Sequence, residues 1–430
     1  MRAGFILRPL VIASFRRRTV RVPCGVFHLT IDCALTADTP SEFAQSGIDA
    51  RRNFFVVCLA LTLCFVVYSM LIVAVPVYGL RLGASPLVLG AVLSTQYLLP
   101  LLFAIPLGGV VTRYGGRATL ISGACLMVAG LLSMHFWYGY QGLVLGQLLV
   151  GLAHLQMVLA AQTIISNLGT GPKLERYFGW YSTWLSGGQV VGPLLAGYLL
   201  DSGPGTGQVF LVMAVFGALA GLAGFWLTGQ ARERLKVTRR ETGFRAQWGL
   251  MRTSPGVQLS VLVTMLGMFA LGVYGSYLPV YLESLAMSPV VIGVLVSLRA
   301  AVSMLIRLFM APMIAMVGGR RKAVLLALGT LAAGITFLGF SEQILLISLL
   351  AVLVGIGAGL TQPLSMVLLA ESVDREKRSG ALGMRLMANR AIHFLAPLLF
   401  GVLLELGGFV LAFGASGLVI AFALALMQRR

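Results

Sequence analysis

The chain has 430 residues, 58% of them hydrophobic and only 11% charged, with a mean hydropathy of +0.92. That balance excludes a soluble globular domain and fits a multi-span helical membrane protein, in which each crossing takes about 20 mostly apolar residues. A net charge of +18 invites a nucleic-acid partner, but all but five of the Lys and Arg residues lie in the first 52 residues, at the last two positions or in every second loop.

Those loops carry Arg113 and Arg117, Lys173 and Arg176, a run from Arg232 to Arg252, Arg320 to Lys322, and Arg375 to Arg378. The loops between them carry Asp201, Glu283, Glu342 and Glu405, with Arg81 the lone basic residue. This is the positive-inside asymmetry. It puts both termini in the cytoplasm and removes nucleic acid as a partner.

In chain order, residues 1–53 come first. Their apolar stretch is broken by Arg8 and Pro9 and is followed, not preceded, by Arg16, Arg17 and Arg18. A secretory signal has the opposite order, so a disordered cytoplasmic leader is expected, with an organelle-targeting leader the alternative because no acid precedes Asp32. Apolar helices then follow at 54–81, 86–111, 118–137, 142–168, 175–201 and 209–227. A polar, basic linker occupies 229–255, and six further helices are expected at 256–283, 288–315, 321–340, 343–370, 378–404 and 407–428. The predicted fold is an all-α membrane protein of twelve transmembrane helices in two pseudo-symmetric six-helix bundles, 54–228 and 256–428. The five cysteines, Cys24, Cys33, Cys58, Cys64 and Cys125, show neither metal-ligand spacing nor a disulfide framework.

The stretch 179–197, GWYSTWLSGGQVVGPLLAG, is the most organised in the chain. Gly188 and Gly192 are four apart, on one helix face, so a neighbouring backbone can approach closely. Pro193 lacks an N–H and crowds the carbonyl of Gln189, so a bend is expected there. Gly383, Ala396, Pro397 and Gly401 stand 204 residues after Gly179, Gly192, Pro193 and Gly197. Gly319-Arg320-Arg321 follows Gly115-Gly116-Arg117 at the same spacing. Two motifs at one offset point to an internal duplication, and an even number of spans per half keeps both halves in the same orientation.

On these residues the chain resembles a major facilitator superfamily transporter. GGVVTRYGGR, residues 108–117, is similar to that family's loop between helices 2 and 3, with Gly108, Arg113, Gly115 and Arg117 matching and Thr112 in place of an acid. The 179–197 stretch resembles the family's helix-5 antiporter signature, with Ala196 for one glycine. The resemblance implies alternating access, with Gly108, Arg113, Gly115, Arg117, Gly188, Gly192, Pro193 and Gly197 acting in gating. Arg113 and Arg117 are expected to pair with carboxylates or helix C-termini of the other half in one conformation only; the plainer alternative is that they serve orientation alone.

Charge inside a membrane is costly and marks function by default. Arg299 and Arg390 fall near mid-membrane, about 16 and 18 Å in from the ends of their helices at 1.5 Å per residue. Arg307 and Arg385 lie nearer the cytoplasmic side, where snorkelling accounts for them. Arg385, Asn389 and His393 share one broad face. Candidate solute-binding residues are Arg299, Arg390, Asn389, His393, Gln96, Gln189, Tyr274 and Gln362. The expected cavity is positive on the second-half side and suits carboxylate-bearing solutes; a structural network of arginines donating to carbonyls is the alternative.

No Asp or Glu sits deep in a predicted helix, and Gln147 stands where resembling drug/proton antiporters have a helix-4 arginine. Proton coupling is therefore implied by the resemblance and not by these residues, which offer only His154 and His393 to titrate. No Walker loop, carboxylate pair, zinc spacing or nucleophile–base set is present, so neither an enzyme nor a cofactor or metal is expected. The expected function is secondary export of small organic molecules by a monomer in the bacterial inner membrane. An importer of organic anions and a non-transporting receptor on the same fold are the alternatives.

Overall fold

The computed structural model describes residues 40–168, 171–202, 205–228, 254–373 and 378–428. Residues 1–39 and 229–253, which hold most of the expected leader and linker, lie outside the described residues. Contacts divide the chain between Gln45 and Ser46, and the unit from Ser46 onward contains everything discussed below.

The elements are α1 (Pro40–Arg81), α2 (Pro86–Tyr114), α3 (Gly116–Phe136), α4 (Tyr140–Ser166), α5 (Gly171–Ser202) and α6 (Thr206–Phe225), then α7 (Pro255–Ser284), α8 (Pro289–Leu308), α9 (Met310–Val317), α10 (Arg320–Leu338), α11 (Ile344–Glu371) and α12 (Arg378–Gln428). Among the described residues, ten helices are long and apolar enough to cross a membrane by length and composition. α1 begins inside the stretch expected to be a disordered leader. Arg52 donates to Trp226 O and Thr228 Oγ1, and Asn53 to Thr228 O, so the start of the first crossing is tied to the end of α6.

Local chemistry sets the helix limits. α2, α7 and α8 each begin Ser-Pro, with proline in the first turn, where its missing N–H has no partner to lose. The Ser85 hydroxyl accepts from Val88 N, as an N-cap should. Gly115 separates α2 from α3 at φ 85°, a backbone region in which any β-carbon is strained. The predicted helix over 288–315 is instead broken at Phe309. Pro312 supplies the reason, because it cannot donate to the Leu308 carbonyl and its ring crowds that group. By contrast α5 is one continuous helix through Pro193. α12, at 51 residues, holds two predicted helices, and the chain leaves helical geometry at Gly407 and at Gly408, where φ is 70°.

Two groups of helices result. In the first, α3 packs on α4 and α6, and α2 on α4; in the second, α10 packs on α11 and α12, α11 on α8, and α7 on α11 and α12. Small residues make these approaches possible, as where Gly151 of α4 faces the Gln96 carbonyl of α2. Gly188 and Gly192, expected to admit a neighbouring backbone, lie against α1 at Thr62 O and Val66 O. Away from the core, leucines and phenylalanines such as Leu102, Phe136, Leu222, Phe337, Leu345 and Phe422 are exposed, the pattern of a surface solvated by lipid.

The groups meet through α5 on α8 and α2 on α12, and the contact is made twice. Gly197 abuts the Pro289 carbonyl while Gly293 abuts that of Pro193. Gly401 abuts the Pro86 carbonyl while Gly90 abuts that of Pro397. All eight residues lie toward the helix ends remote from the basic loops. Tyr277 Oη donates within the same region, 3.0 Å from both Pro86 O and Pro397 O, and Ser297 Oγ donates to Val190 O at 2.7 Å.

Candidate functional site

Beneath this double contact, between the groups, is a cavity of about 520 Å³. α1 contributes Tyr68 and Ser69, α2 Gln96 and Tyr97, α4 Gln147, and α5 Gln189 and Pro193. From the other side come Met268 and Ser276 of α7, Arg299 and Arg307 of α8, Gln362 of α11 and His393 of α12. Of the eight expected solute-binding residues, Arg299, His393, Gln96, Gln189 and Gln362 line it, whereas Tyr274, Asn389 and Arg390 do not.

Each of the three has a different place. Tyr274 is fully buried and donates to Leu295 O, with its ring 5.7 Å beneath the Arg299 guanidinium; it supports the arginine from behind. Asn389 is buried with Oδ1 lacking a hydrogen-bond partner. Arg390 acts electrostatically on Tyr68, Tyr97, His154 and His393. These four rings form a chain across the molecule. His154 stacks on Tyr68 at 4.1 Å, the Tyr68 hydroxyl donates to that of Tyr97 at 3.2 Å, and Tyr97 stacks on His393 at 5.0 Å.

Two arginines differ from their expected snorkelling. Arg385 is 2% exposed. Its Nε donates to Thr264 and Ser365, and one terminal nitrogen to Ser365, Gln362 O and Gln362 Oε1. It is a knot joining α7, α11 and α12, and its position behind Gln362 keeps it from the cavity. Arg307 lines the cavity, and its Nε is buried without a hydrogen-bond partner. Arg299 and Arg307 are eight residues apart, a spacing that stacks both on one helix face.

Further polar atoms are left without partners in the lining. Gln96 Nε2, Gln147 Oε1 and His393 Nδ1 are buried and make no hydrogen bond. His393 Nε2 and Gln362 Nε2 both approach Met268 Sδ, at 3.1 and 3.0 Å, a weak acceptor that leaves these groups open to a better one. Gln147 is only 1% exposed. Such groups are expensive in an apolar interior unless water or a solute completes them. No group of three or more His, Cys, Asp or Glu able to hold a metal occurs among the described residues.

The gating candidates fall in two places. Gly188, Gly192, Pro193 and Gly197 lie in the α5 contacts already given. Gly108 is in α2, Gly115 ends it, Arg113 stacks on Tyr114 at 5.4 Å, and Arg117 donates to Phe225 O at the C-terminal end of α6. That bond meets a helix C-terminus, as expected, but one within its own half. Sequence periodicity marks neither Tyr68 nor Ser69 in the apolar α1, but Arg307 follows Arg299 and Ser303 at four-residue spacing on α8, and that polar stripe was the signal that could have found it.

Comparison with known proteins is consistent with this geometry. The profile of the Major Facilitator Superfamily matches residues 57–288 and 260–429. Tetracycline resistance protein, class B, of Escherichia coli is 22% identical over 321 residues, 73% of this chain and 78% of that protein. Among solved structures, nucleoside transporter NupG superposes with a TM-score of 0.71 at 16% identity, covering 88% of this chain and 99% of that one. A POT family transporter in complex with 5-aminolevulinic acid gives 0.72 at 12% identity over 88% and 95%. A bacterial homologue of the human lysosomal transporter Spinster, inward-facing and unoccupied, gives 0.70 at 15% identity over 88% and 95%. At these identities the superpositions report the fold.

Proposed function

Because the chain belongs to the major facilitator superfamily and is therefore a membrane transporter, we propose that it carries small organic solutes bearing an anionic group, out of the cytoplasm, by alternating access. One observation carries the solute class: Arg299 and Arg307 both line the central cavity, and among the described residues no acid does. A guanidinium pairs best with a carboxylate or phosphate, through two parallel N–H donors. The amides of Gln96, Gln147, Gln189 and Gln362 would hold the uncharged remainder of the solute.

The positive-inside pattern places the basic loops in the cytoplasm. With that orientation the double glycine–proline contact closes the outer side, and the cavity of this state belongs to the inward-facing limb of the cycle. Gly197 and Gly401, with the carbonyls they abut, would part when the outer side opens, and Arg113 and Arg117 would find partners in the other half when the inner side closes. Outward transport is supported by the 179–197 stretch and by the resistance role that the Escherichia coli relative's name states. A monomer in the inner membrane suffices, because both walls of the cavity come from one chain. Proton coupling is a second reading, favoured by the unpartnered ring nitrogens of His154 and His393.

The test is flux. Everted vesicles from cells overproducing the protein should accumulate organic acids that intact cells exclude, and Arg299→Gln should lower the uptake rate by about a hundredfold. A receptor would bind such acids without turnover. Accumulation of neutral or cationic compounds alone, unaffected by the substitution, would remove the proposed solute class.

A further inference from the structure

We propose that the protein is an anion exchanger: it passes between its two open states only with an anion seated against α8, so that one anion must enter for another to leave. This rests on the cavity being an anion site and adds what drives the cycle. The basis is a charge imbalance. Residues 50–174, 284–341 and 377–404 contain no Asp or Glu. Among the described residues, Asp49 opens the first apolar span, Asp201, Glu283 and Glu371 stand at or beside helix ends, Glu342 lies between α10 and α11, and Glu405 just before the break at Gly407.

The interior arginines consequently find no carboxylate partner among the described residues. Arg299 has the ring of Tyr274. Arg307 has the like charge of Arg299 acting on it. Arg390 acts on two phenols and two imidazoles. Of these interior arginines only Arg385 has hydrogen-bond partners among the described residues, the neutral acceptors Thr264 of α7 and Gln362 and Ser365 of α11. In an open state, water and ions from the exposed side screen these charges. On closure the water leaves, and an empty cavity would hold uncompensated positive charge in a low-dielectric interior. A bound anion cancels the field of Arg299 and Arg307 and meets the orphaned Nε of Arg307 and Nε2 of Gln96. The loaded carrier therefore crosses more easily than the empty one, which is the condition for obligatory exchange. A proton on His154 or His393 would add positive charge to the same region and cannot supply the missing counter-charge.

The experiment uses the full chain in liposomes loaded with radiolabelled succinate, with potassium and valinomycin on both sides to hold the potential at zero. The outside contains succinate, benzoate or inorganic phosphate, or only sorbitol with a zwitterionic buffer. An external anion should speed efflux at least about tenfold over the anion-free medium, since an unpaired arginine in mid-membrane is costly enough to slow a crossing on the order of a hundredfold. Arg299→Gln should reduce that stimulation below about twofold, while Arg299→Lys, which keeps the charge, should retain most of it. Efflux equally fast into the anion-free medium, or driven by an imposed pH gradient alone, would overturn exchange while leaving an anion carrier standing. No flux above protein-free liposomes with any of the three anions would overturn both.

Discussion

The two halves of the molecule touch in the same way and line the cavity in opposite ways. Gly197 against Pro289 and Gly401 against Pro86 are one contact made twice, each backed by a reciprocal glycine, Gly293 or Gly90, on a proline carbonyl. The walls, however, diverge. The first half presents the amides of Gln96, Gln147 and Gln189 and the phenols of Tyr68 and Tyr97, while the second presents Arg299, Arg307 and His393. A backbone-to-backbone contact tolerates almost no change, because any added carbon meets a carbonyl. A cavity wall is held to no such contact, so its two sides are free to differ: both carry amides, Gln362 being that of the second half, but only the second carries arginine.

Breaking the charged wall should have the largest effect. Arg299→Gln is expected to lower kcat/KM for an organic anion by about a hundredfold, equivalent to about 2.7 kcal/mol, whereas Gln189→Ala on the opposite wall should cost under about tenfold. Vesicle uptake with one labelled acid checks both. Arg385 sharpens the contrast within the second half, since it is buried but faces protein. Arg385→Met should lower thermal stability by about 2 kcal/mol, leaving Gln362 and Thr264 without their partner, with KM little altered; a change in KM at constant Tm would contradict its place as a structural knot.

The duplicated contact offers a symmetric test. Gly197→Ala and Gly401→Ala should each destabilise the state in which the two groups touch here by about 1–2 kcal/mol, because a β-carbon must push a carbonyl away. Labelling of a cysteine introduced at Ser202, in the end of α5 remote from the basic loops, should rise similarly in both variants; a response to one alone would show the two contacts to be inequivalent. The smallest expected effect is that of Tyr277→Phe, about 1 kcal/mol. Its hydroxyl reaches Pro86 O and Pro397 O but carries one proton, so the loss frees a single bond, read as a severalfold shift in the same labelling assay.

Much of the fold was legible in the sequence because its causes are local. Apolar runs long enough to span, Ser-Pro helix starts, glycine at 115 and the alternation of basic loops each act through nearest neighbours or through the membrane itself. The break at Phe309 was also local, written in Pro312, yet the continuous apolar run over 288–315 masked it. Pro193 shows the converse: a proline inside a helix does not break it when the helix continues on both sides.

The cavity was legible only in part. Arg299, Gln96, Gln189, Gln362 and His393 line it, Tyr274, Asn389 and Arg390 do not, and of the two arginines expected to snorkel Arg307 lines the cavity while Arg385 is tied into protein. The amino-acid sequence by itself determined that this is a membrane-embedded helical protein of duplicated halves, with arginines and no acids in its interior, because hydropathy and charge count are properties of residues one at a time. Which of those arginines meets solute and which is tied into protein was decided only by tertiary structure. A stripe such as Arg385, Asn389 and His393, or Arg299, Ser303 and Arg307, marks a polar face but not what that face meets; that is set by which neighbour, a glycine, a threonine or an open space, lies across from each side chain.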